Sequence, residues 1–293
     1  MDSITGHRIF LSCKPGQWIY YDPHEQSWLQ LQPLPYNEHH TFIGSHKDSL
    51  AVGTELLVIG RHMDSLISFS YSTVTGTWSY APQMITPRCL FASDGSPELA
   101  FVAGGCDFEG AILSSAELYS VSDRIWIPLP NMNRPRKYCS GFYMDGNFHV
   151  IGGANNNNEL FTCGEEYDSQ HGRWTVIDNM ASGIQSTLGV APLVAVVDNE
   201  LYAATYPQRE LKIYNKGSRQ WMTIAGLPAT PCNEQGWGVA FKACGRRLLL
   251  FTGHVDQEKM EIHSCQPSQG PVEWEMIVSI KIDGFVYNCD VVG

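Results

Sequence analysis

An arginine that recurs after proline is the clearest candidate for chemistry in this sequence. Pro87-Arg88 and Pro135-Arg136 each begin nine residues after a tryptophan. The planar fork of arginine binds carboxylates through two parallel hydrogen bonds, so a repeated arginine is suited to hold acidic side chains of a partner protein. The same arginine is also suited to hydrogen-bond the backbone of its own repeat, and the sequence leaves both interpretations open.

Other groupings give little support for catalysis or metal binding. Tyr138-Cys139 are adjacent, as a copper radical site requires, but no cluster of tyrosine and histidine ligands accompanies them. The side chains of His39-His40 diverge in an extended segment, and a third ligand is not in view. The chain has neither a glycine-rich phosphate loop ending in Lys-Ser/Thr nor a G-x-S-x-G sequence. We therefore expect a protein that is not an enzyme and has no metal or cofactor.

Composition narrows the class of partner. The 293 residues carry a formal net charge of −11 and contain no basic run, which disfavours nucleic acid and anionic membranes as partners because both repel an acidic surface. No apolar stretch is long enough to span a bilayer, and the N-terminal segment does not resemble a secretory signal. The nine cysteines are odd in number, scattered and never spaced as C-x-x-C, so we expect reduced thiols in a cytoplasmic or nuclear protein.

Six tryptophans recur at a nearly constant interval, with gaps of 50, 48, 48, 47 and 53 residues. A tyrosine stands seven positions before each of the first five, whereas the sixth, Trp274, lacks it. A period near 50 with one aromatic pair per unit is typical of the kelch repeat, which forms one blade of a β-propeller. We expect these rings to fill the wedge between blades as structural residues. The pairs are Tyr21–Trp28, Tyr71–Trp78, Tyr119–Trp126, Tyr167–Trp174 and Tyr214–Trp221.

Paired glycines precede two of these tryptophans at the same distance. Gly104-Gly105 and Gly152-Gly153 lie 22 and 21 residues before Trp126 and Trp174, each at the end of a predicted buried strand. Glycine permits a positive φ and lets two backbones come close, which strands crowded around an axis require. In the third unit we expect four strands, the first of them at residues 88–92.

The repeat predicts an all-β fold, a six-bladed kelch β-propeller with four antiparallel strands in each blade. Six periods account for the whole chain, so we expect residues 1–293 to form a single domain. The first unit lacks one strand, and residues 285–292 form a strand with no unit of its own. We expect this C-terminal strand to complete the first blade and close the ring. The expected blades are residues 7–32 with 283–293, 48–84, 88–132, 137–180, 190–227 and 236–279.

Longer strings resemble one kelch family over nearly the whole chain. HKDSLAVGTELLVIG (46–60), AGGCD (103–107), ILSSAELY (112–119), MDGNFHVIGG (144–153) and FVYNCDVVG (285–293) are similar to the kelch half of plant F-box/kelch-repeat proteins. The resemblance implies a propeller that binds a client protein, as the substrate receptor of an SCF-type ubiquitin ligase does. In that family an F-box ahead of the propeller binds the Skp adaptor of the cullin complex. We expect no F-box before the first strand of this sequence, so Skp and cullin are expected as partners only if one exists upstream.

Two sets of loops are expected to meet the client: those between the second and third strands of a blade, and those between blades. In the first set the candidate contact residues are Arg61, His62, Asp107, Glu109, Arg209 and His254. In the second set they are Arg88, Arg136 and Trp237, the last as a client anchor or an extra packing ring. The alternative function is a small-molecule-binding protein or an isomerase-type enzyme that uses the central funnel of the propeller.

Overall fold

Six antiparallel sheets of four strands make up the part of the protein that the structure describes. The computed structural model describes residues 4–14, 17–34, 49–62, 65–184, 189–206, 208–228, 239–254, 259–268, 270–281 and 288–293. A one-turn 3-10 helix at Ile4–Gly6 precedes the first strand. The predicted six-bladed β-propeller is confirmed.

The strands are numbered in chain order. Blade 1 contains β1 (Arg8–Lys14), β2 (Gln17–Asp22), β3 (Ser27–Gln30) and β24 (Asn288–Val292). Blade 2 contains β4 (Ser49–Val52), β5 (Glu55–His62), β6 (Ser65–Ser72) and β7 (Thr77–Tyr80). Blade 3 contains β8 (Ala92–Gly95), β9 (Leu99–Ala103), β10 (Ala116–Ser120) and β11 (Ile125–Leu129). Blade 4 contains β12 (Lys137–Met144), β13 (Asn147–Ala154), β14 (Gly164–Asp168) and β15 (Arg173–Ile177). Blade 5 contains β16 (Leu193–Val197), β17 (Glu200–Thr205), β18 (Glu210–Asn215) and β19 (Gln220–Gly226). Blade 6 contains β20 (Val239–Cys244), β21 (Arg247–His254), β22 (Lys259–Cys265) and β23 (Glu275–Lys281).

The innermost strands of the six sheets contact one another in a closed ring. Their order around the axis is β24, β4, β8, β12, β16, β20 and back to β24. The ring closes because β24 pairs with β1, with Arg8 opposite Val292 and Leu11 opposite Cys289. The expectation that the C-terminal strand completes the first blade is therefore confirmed. This pairing covers the inner edge of β1, which would otherwise expose unpaired backbone groups.

The seven-residue spacing of tyrosine and tryptophan follows from hairpin geometry. A four-residue turn joins the third and fourth strands and sets the two rings directly opposite each other, as with Tyr119 and Trp126. In all five pairs the ring centroids are 5.1 or 5.2 Å apart. The indole N–H of Trp174 then donates to the carbonyl oxygen of Pro130 at 2.8 Å, at the exit of the preceding blade. Each pair therefore stabilises its own hairpin, and in four of the five pairs an indole hydrogen bond of this kind also joins two blades.

The apolar core lies between the blades. Six clusters of buried side chains fill the six interfaces, and each draws on two neighbouring sheets. Between blades 3 and 4, for example, Phe101 and Ala103 of β9 pack with Phe148, Val150 and Trp174. Burial of each large apolar side chain contributes about 1.5–3 kcal/mol. A blade removed from the ring would lose both of the layers that bury its faces.

The first glycine pair lies at the end of β9, against the segments that lead into blades 3 and 4. Gly104 and Gly105 take φ values of 69° and 87°, in the left-handed region that favours glycine. A Cβ atom on Gly105 would lie 2.3 Å from the carbonyl oxygen of Cys89, and one on Gly104 would lie 2.6 Å from that of Arg136. Both the backbone conformation and the space therefore require glycine here.

Two expectations of strand position are wrong in detail. The sequence predicts the first strand of the third blade at residues 88–92, whereas β8 begins at Ala92. The preceding residues leave the sheet because Leu90 takes a φ of 59° and Cys89 forms an isolated bridge with Cys106. In addition, β23 ends at Lys281, two residues past the expected limit of the sixth blade. The other blade limits, which include connecting segments, stay predictions.

Candidate interaction face and central channel

Because the strands of each blade are antiparallel, successive connections alternate between the two faces of the ring. Loops between second and third strands, and segments that lead from one blade to the next, emerge on one side. We call this side the crossover face; its described parts include residues 81–91, 104–115, 130–136, 155–163, 178–184, 189–192 and 208–209. The remaining hairpin turns emerge on the opposite side, which we call the turn face.

Three predicted contact residues lie on the crossover face with described side chains. Asp107 shapes its own loop, because its Oδ1 accepts hydrogen bonds from the backbone N–H groups of Glu109 at 3.0 Å and Ala111 at 2.9 Å. Glu109 itself is exposed. Arg209 is exposed on blade 5, where its backbone takes a φ of 55°. These positions offer acidic and basic groups to a partner.

The structure does not describe the side chains of the other surface candidates. The backbone of Arg61 and His62 ends β5, and that of His254 ends β21. Trp237 and the pair His39-His40 lie outside the described residues. Their roles stay predictions.

The two recurring arginines lie inside the propeller. Arg88 is 2% exposed and Arg136 is 0% exposed. The Nη2 atom of each lies 2.6 Å from a buried carboxylate, that of Glu117 for Arg88 and that of Glu165 for Arg136. Burial withdraws both guanidinium groups from a partner. The interpretation of Arg88 and Arg136 as contact residues is therefore corrected, and the structural interpretation applies.

Each arginine–glutamate pair organises the crossover segment beside it. Arg88 Nη1 donates to the carbonyl oxygens of Gly104 at 3.0 Å and Ser115 at 2.7 Å. The carboxylate of Glu117 also accepts two backbone N–H groups of the segment between blades 2 and 3, at 2.7 and 2.9 Å. Blade 4 repeats the arrangement, with Arg136 donating to Gly152 at 2.8 Å and Glu165 accepting from Asn133 at 2.7 Å and Arg134 at 3.1 Å. The pairs therefore fix the segments from which the crossover face is built.

Sequence reasoning missed Glu117 and Glu165. Each lies 29 residues after its arginine and nine residues before the tryptophan of its blade. This constant offset is the signal that identifies them, because a glutamate that recurs in step with an arginine is a candidate for its partner.

Charged side chains on the turn face tie neighbouring blades together. Three such ion pairs are Arg124–Glu55 at 3.0 Å, Lys216–Asp145 at 2.8 Å and Arg246–Asp198 at 3.1 Å. On the crossover face, Glu109 and Arg209 take part in no ion pair among the residues that the structure describes. These two exposed charges are therefore not neutralised by an ion pair within that part of the chain.

A central channel of about 580 Å³ runs along the axis and is enclosed by the six inner strands. Most of its wall is apolar, but Asp94 of β8, Lys242 of β20 and Asp290 of β24 all line it. Lys242 Nζ is 2.7 Å from Asp290 Oδ1, and the hydroxyl of Ser49 donates to the other carboxylate oxygen. Ring closure therefore assembles a charged cluster from three strands that are distant in sequence.

The carboxyl group of Asp94 in this cluster has a pKa that is shifted toward neutral pH. Its carboxylate accepts the backbone N–H groups of Gly95 at 2.9 Å and Tyr143 at 2.6 Å. Burial raises the pKa of Asp94 to about 6, because the two hydrogen bonds and the charge of Lys242 only partly offset the lost hydration. The charge in the channel therefore changes around pH 6.

The described residues contain no group of three or more His, Cys, Asp or Glu side chains placed to hold a metal ion. The adjacent Tyr138 and Cys139 both line the channel, and Cys139 also packs in the core between blades 3 and 4. In the same described part of the chain, no helix combines the length and apolar character needed to cross a membrane.

The fold defines the class of protein as a kelch propeller, and two comparisons agree. The Kelch motif matches residues 87–133, which include all of blade 3. A solved structure described as "Structure of YjhT" is similar with a TM-score of 0.67 over 89% of this chain and 91% of that chain, at 10% identity. A likeness at this identity concerns the fold alone.

Three proteins of Arabidopsis thaliana are similar along the whole propeller. F-box/kelch-repeat protein At1g74510 is 42% identical over 99% of this chain and 68% of its own length. F-box/kelch-repeat protein At1g26930 is 40% identical over 97% of this chain and 70% of its own length. F-box/kelch-repeat protein SKIP11 is 41% identical over 100% of this chain and 65% of its own length. The chain belongs to the plant F-box/kelch-repeat family, and it is a protein-interaction module.

Proposed function

We propose that this propeller binds a client protein through its crossover face, as the substrate-recognition part of an SCF-type ubiquitin ligase. The observation that carries the proposal is the similarity to F-box/kelch-repeat protein At1g26930, which extends over 97% of the chain. In this role the propeller holds the client while other subunits transfer ubiquitin. We therefore assign the chain no catalytic step.

The crossover face suits this role physically. The buried arginine–glutamate pairs hold its segments in place, so that contact residues stand on a rigid scaffold. Exposed Glu109 and Arg209 offer charges of both signs. Ile85 and Leu160, which are 56% and 37% exposed, add apolar contact area on the same side. Apolar positions among charged ones are typical of surfaces that bind proteins.

The Skp adaptor and cullin are proposed as partners only for a form in which an F-box is joined to the propeller. Client binding needs the propeller alone. The ubiquitin–proteasome pathway acts in the cytoplasm and the nucleus, and we propose one or both compartments for this chain. The net charge of −11 favours neither nucleic acid nor an anionic membrane as a further partner.

Charge reversal on each face tests the proposal with matched pairs. Arg209 and Arg219 are exposed arginines of blade 5 that both take a φ of 55°, the first on the crossover face and the second on the turn face. Glu109 and Glu98 form a similar pair in blade 3. The double variant Arg209→Glu/Glu109→Lys is compared with Arg219→Glu/Glu98→Lys in quantitative capture of clients from plant extract.

We expect the crossover-face variant to bind the client about tenfold more weakly, because favourable charge contacts become repulsive. The turn-face variant should bind as the wild type does. Loss of binding in the turn-face variant alone would assign the client to the other face. If the wild type captures no specific protein, the proposed function itself fails.

The charged cluster in the channel favours a second candidate function, the binding of a small molecule. Asp94 lines a largely apolar cavity of about 580 Å³ beside the Lys242–Asp290 pair. Such a cavity fits a ligand with an apolar body and a hydrogen-bond donor or positive charge. Native mass spectrometry of the purified protein tests this candidate: a bound mass that Asp94→Asn removes supports it. A spectrum of the bare chain after incubation with small apolar amines would count against it.

A further inference from the structure

Two cysteines meet at the base of the loop that carries Asp107 and Glu109. Cys89 lies in the segment between blades 2 and 3, directly after buried Arg88, and Cys106 follows the glycine pair at the end of β9. Their backbones form an antiparallel bridge in which each N–H donates to the other carbonyl oxygen at 2.9 Å. Their Sγ atoms lie 3.5 Å apart, at hydrogen-bonding distance for two thiols.

The backbone of this pair already has the geometry that a disulfide requires. A hydrogen-bonded antiparallel pair places its Cα atoms about 5.5 Å apart, and disulfides most often join Cα atoms about 5.5–6 Å apart. Small rotations of the Cys89 and Cys106 side chains bring the sulfur atoms from 3.5 Å to bonding distance. The backbone bridge can therefore stay in place while the disulfide forms.

The surroundings activate one thiol of the pair. The hydrogen bond with Cys89 lowers the pKa of Cys106 to about 7; burial opposes this shift, Lys137 of the next blade adds to it, and Asp107 opposes it. Tyr138 also lies close enough for both thiols to raise its own pKa, although burial raises it more. At neutral pH a substantial fraction of Cys106 is therefore thiolate, which is the reactive form of cysteine.

Two other cysteines serve as internal references because their surroundings suppress reactivity. Burial raises the pKa of both Cys244 and Cys265 to about 12. Cys244 is 2% exposed and Cys265 is 0% exposed. Cys89, by contrast, is only partly buried on the crossover face, and Cys106 beside it is 8% exposed. A small oxidant therefore reaches the Cys89–Cys106 pair more readily than these two thiols.

We propose that Cys89 and Cys106 form a redox-modification site that a peroxide converts into an intramolecular disulfide. The Cys106 thiolate attacks a peroxide oxygen, which breaks the O–O bond, forms a sulfenic acid and releases one water once the leaving hydroxide takes up a proton. The Cys89 sulfur then attacks the sulfenic sulfur, forms the S–S bond and expels a second hydroxide, which leaves as water. In total, two thiols lose two protons and two electrons, and hydrogen peroxide is reduced to two waters.

Blade 4 contains the same backbone bridge, but the two bridged residues are not cysteines. Lys137 stands opposite Ala154 there, at the positions that Cys89 and Cys106 occupy in blade 3. The protein therefore shows that Lys and Ala are compatible with this local geometry. Cys89→Lys and Cys106→Ala are accordingly the variants with the best prospect of folding normally.

The disulfide would join the segment between blades 2 and 3 to the base of the Asp107 loop on the crossover face. Peroxide could in this way alter the mobility of a loop beside the proposed contact surface. The chemical proposal itself does not rest on client binding, because the purified chain alone is sufficient to test it.

The test treats the purified, fully reduced chain with hydrogen peroxide, blocks remaining thiols with N-ethylmaleimide and maps the peptides by mass spectrometry. We expect a cross-linked peptide pair that contains Cys89 and Cys106, with a mass lower by two hydrogens, and its loss on treatment with dithiothreitol. Sulfinic or sulfonic acid at Cys106 without this cross-link would overturn the proposal. A cross-link that joins either cysteine to a different one would overturn it as well.

Variants and kinetics make the test independent of a single readout. Cys89→Lys and Cys106→Ala should each abolish the cross-link, while near-ultraviolet circular dichroism checks that they fold. If neither variant folds, the rate of alkylation of the reduced wild type still tests whether the Cys106 thiol is activated. We expect iodoacetamide to modify Cys106 at least about tenfold faster than Cys244 at neutral pH, since the thiolate fractions differ widely. Equal rates would contradict the activation of Cys106.

Discussion

Blades 3 and 4 carry the same framework and differ at a small set of positions. Both contain a glycine pair with positive φ, a Tyr–Trp hairpin and a buried arginine–glutamate pair, each shifted by 48 residues between the blades. The backbone bridge joins Cys89 and Cys106 in blade 3, and Lys137 and Ala154 in blade 4. Phe161, which lies beneath Arg136, corresponds in sequence to Leu113 of blade 3. In the channel, Asp94 of blade 3 corresponds to Phe142 of blade 4. The shared positions hold the blade together, whereas the differing positions carry the chemistry specific to each.

The largest expected effect comes from breaking the framework that the two blades share. Arg136→Ala leaves the buried carboxylate of Glu165 without its cation and should lower the free energy of unfolding by about 3–5 kcal/mol. Arg88→Ala should cost about 1 kcal/mol less, because Arg136 lies over the ring of Phe161 at 4.9 Å, whereas Arg88 has no such ring contact among the described residues. Urea unfolding at neutral pH measures both values. The exposed Arg173→Ala is the control, and losses no larger than its own would refute the structural role.

A glycine substitution separates backbone strain from steric clash within blade 3. Gly105 and Gly110 both take a φ of 87°, but a Cβ atom would lie 2.3 Å from Cys89 O at the first position and meets no atom within 4 Å at the second. Gly110→Ala should therefore cost about 1–2 kcal/mol from conformation alone. We expect Gly105→Ala to cost about 3 kcal/mol or more, since Cys89 and Phe91, which lead into β8 of the same blade, must also move away. Similar thermal unfolding midpoints for the two variants would contradict the clash.

Transferring the cysteine pair to blade 4 sharpens the comparison of the two bridges. The double variant Lys137→Cys/Ala154→Cys places two thiols at the same spacing of 17 residues on an equivalent backbone. Peroxide should then cross-link blade 4 as well and raise the free energy of unfolding of the oxidised form by about 2 kcal/mol. Peptide mapping and urea unfolding, each with and without dithiothreitol, measure the result. A graft that never cross-links would indicate that the bridge geometry alone is insufficient.

The smallest expected effect concerns the channel, where Asp94 of blade 3 stands in place of Phe142. The pKa of Asp94 is about 6 in the folded protein and about 3.9 in an unfolded chain, so the folded state binds more protons between these values. Stability should therefore fall as pH rises from about 4 to 6. Relative to Asp94→Asn, the wild type should lose about 1 kcal/mol across this window, after a discount for water in the channel. Parallel pH profiles of the two proteins would contradict the raised pKa.

The sequence predicts the ring well because its strongest signal is local. A tyrosine and a tryptophan seven residues apart meet across one hairpin, so the register of the outer strands can be read without any long-range information. Closure by β24 also follows from counting strands, since an unpaired strand and an incomplete blade remain. The orientation of Arg88 is different: it depends on Glu117, which lies 29 residues away on another strand. The residues next to Arg88 in the sequence therefore do not predict whether its side chain is buried or exposed.

The cysteine pair and the channel cluster were beyond sequence reasoning for a related reason. Cys89 and Cys106 meet because the glycine pair bends the chain at the end of β9, which shifts the following residues out of the strand register. Asp94, Lys242 and Asp290 meet only when all six inner strands surround one axis. In both cases the spacing along the chain carries no sign of the contact, because three-dimensional closure creates it.

Because β24 pairs with β1, the same ring of blades can be built from a chain that begins and ends at a different place. Val292 stands opposite Arg8, so a short linker after Gly293 could lead directly into the first strand. A circular permutant that starts at β4 and finishes at β3 would then retain every strand pair and every interface between blades. Six such permutants could be made, each opened between a different pair of neighbouring blades. Since all six would contain the same residues, their free energies of unfolding would compare how much each connection between blades stabilises the ring.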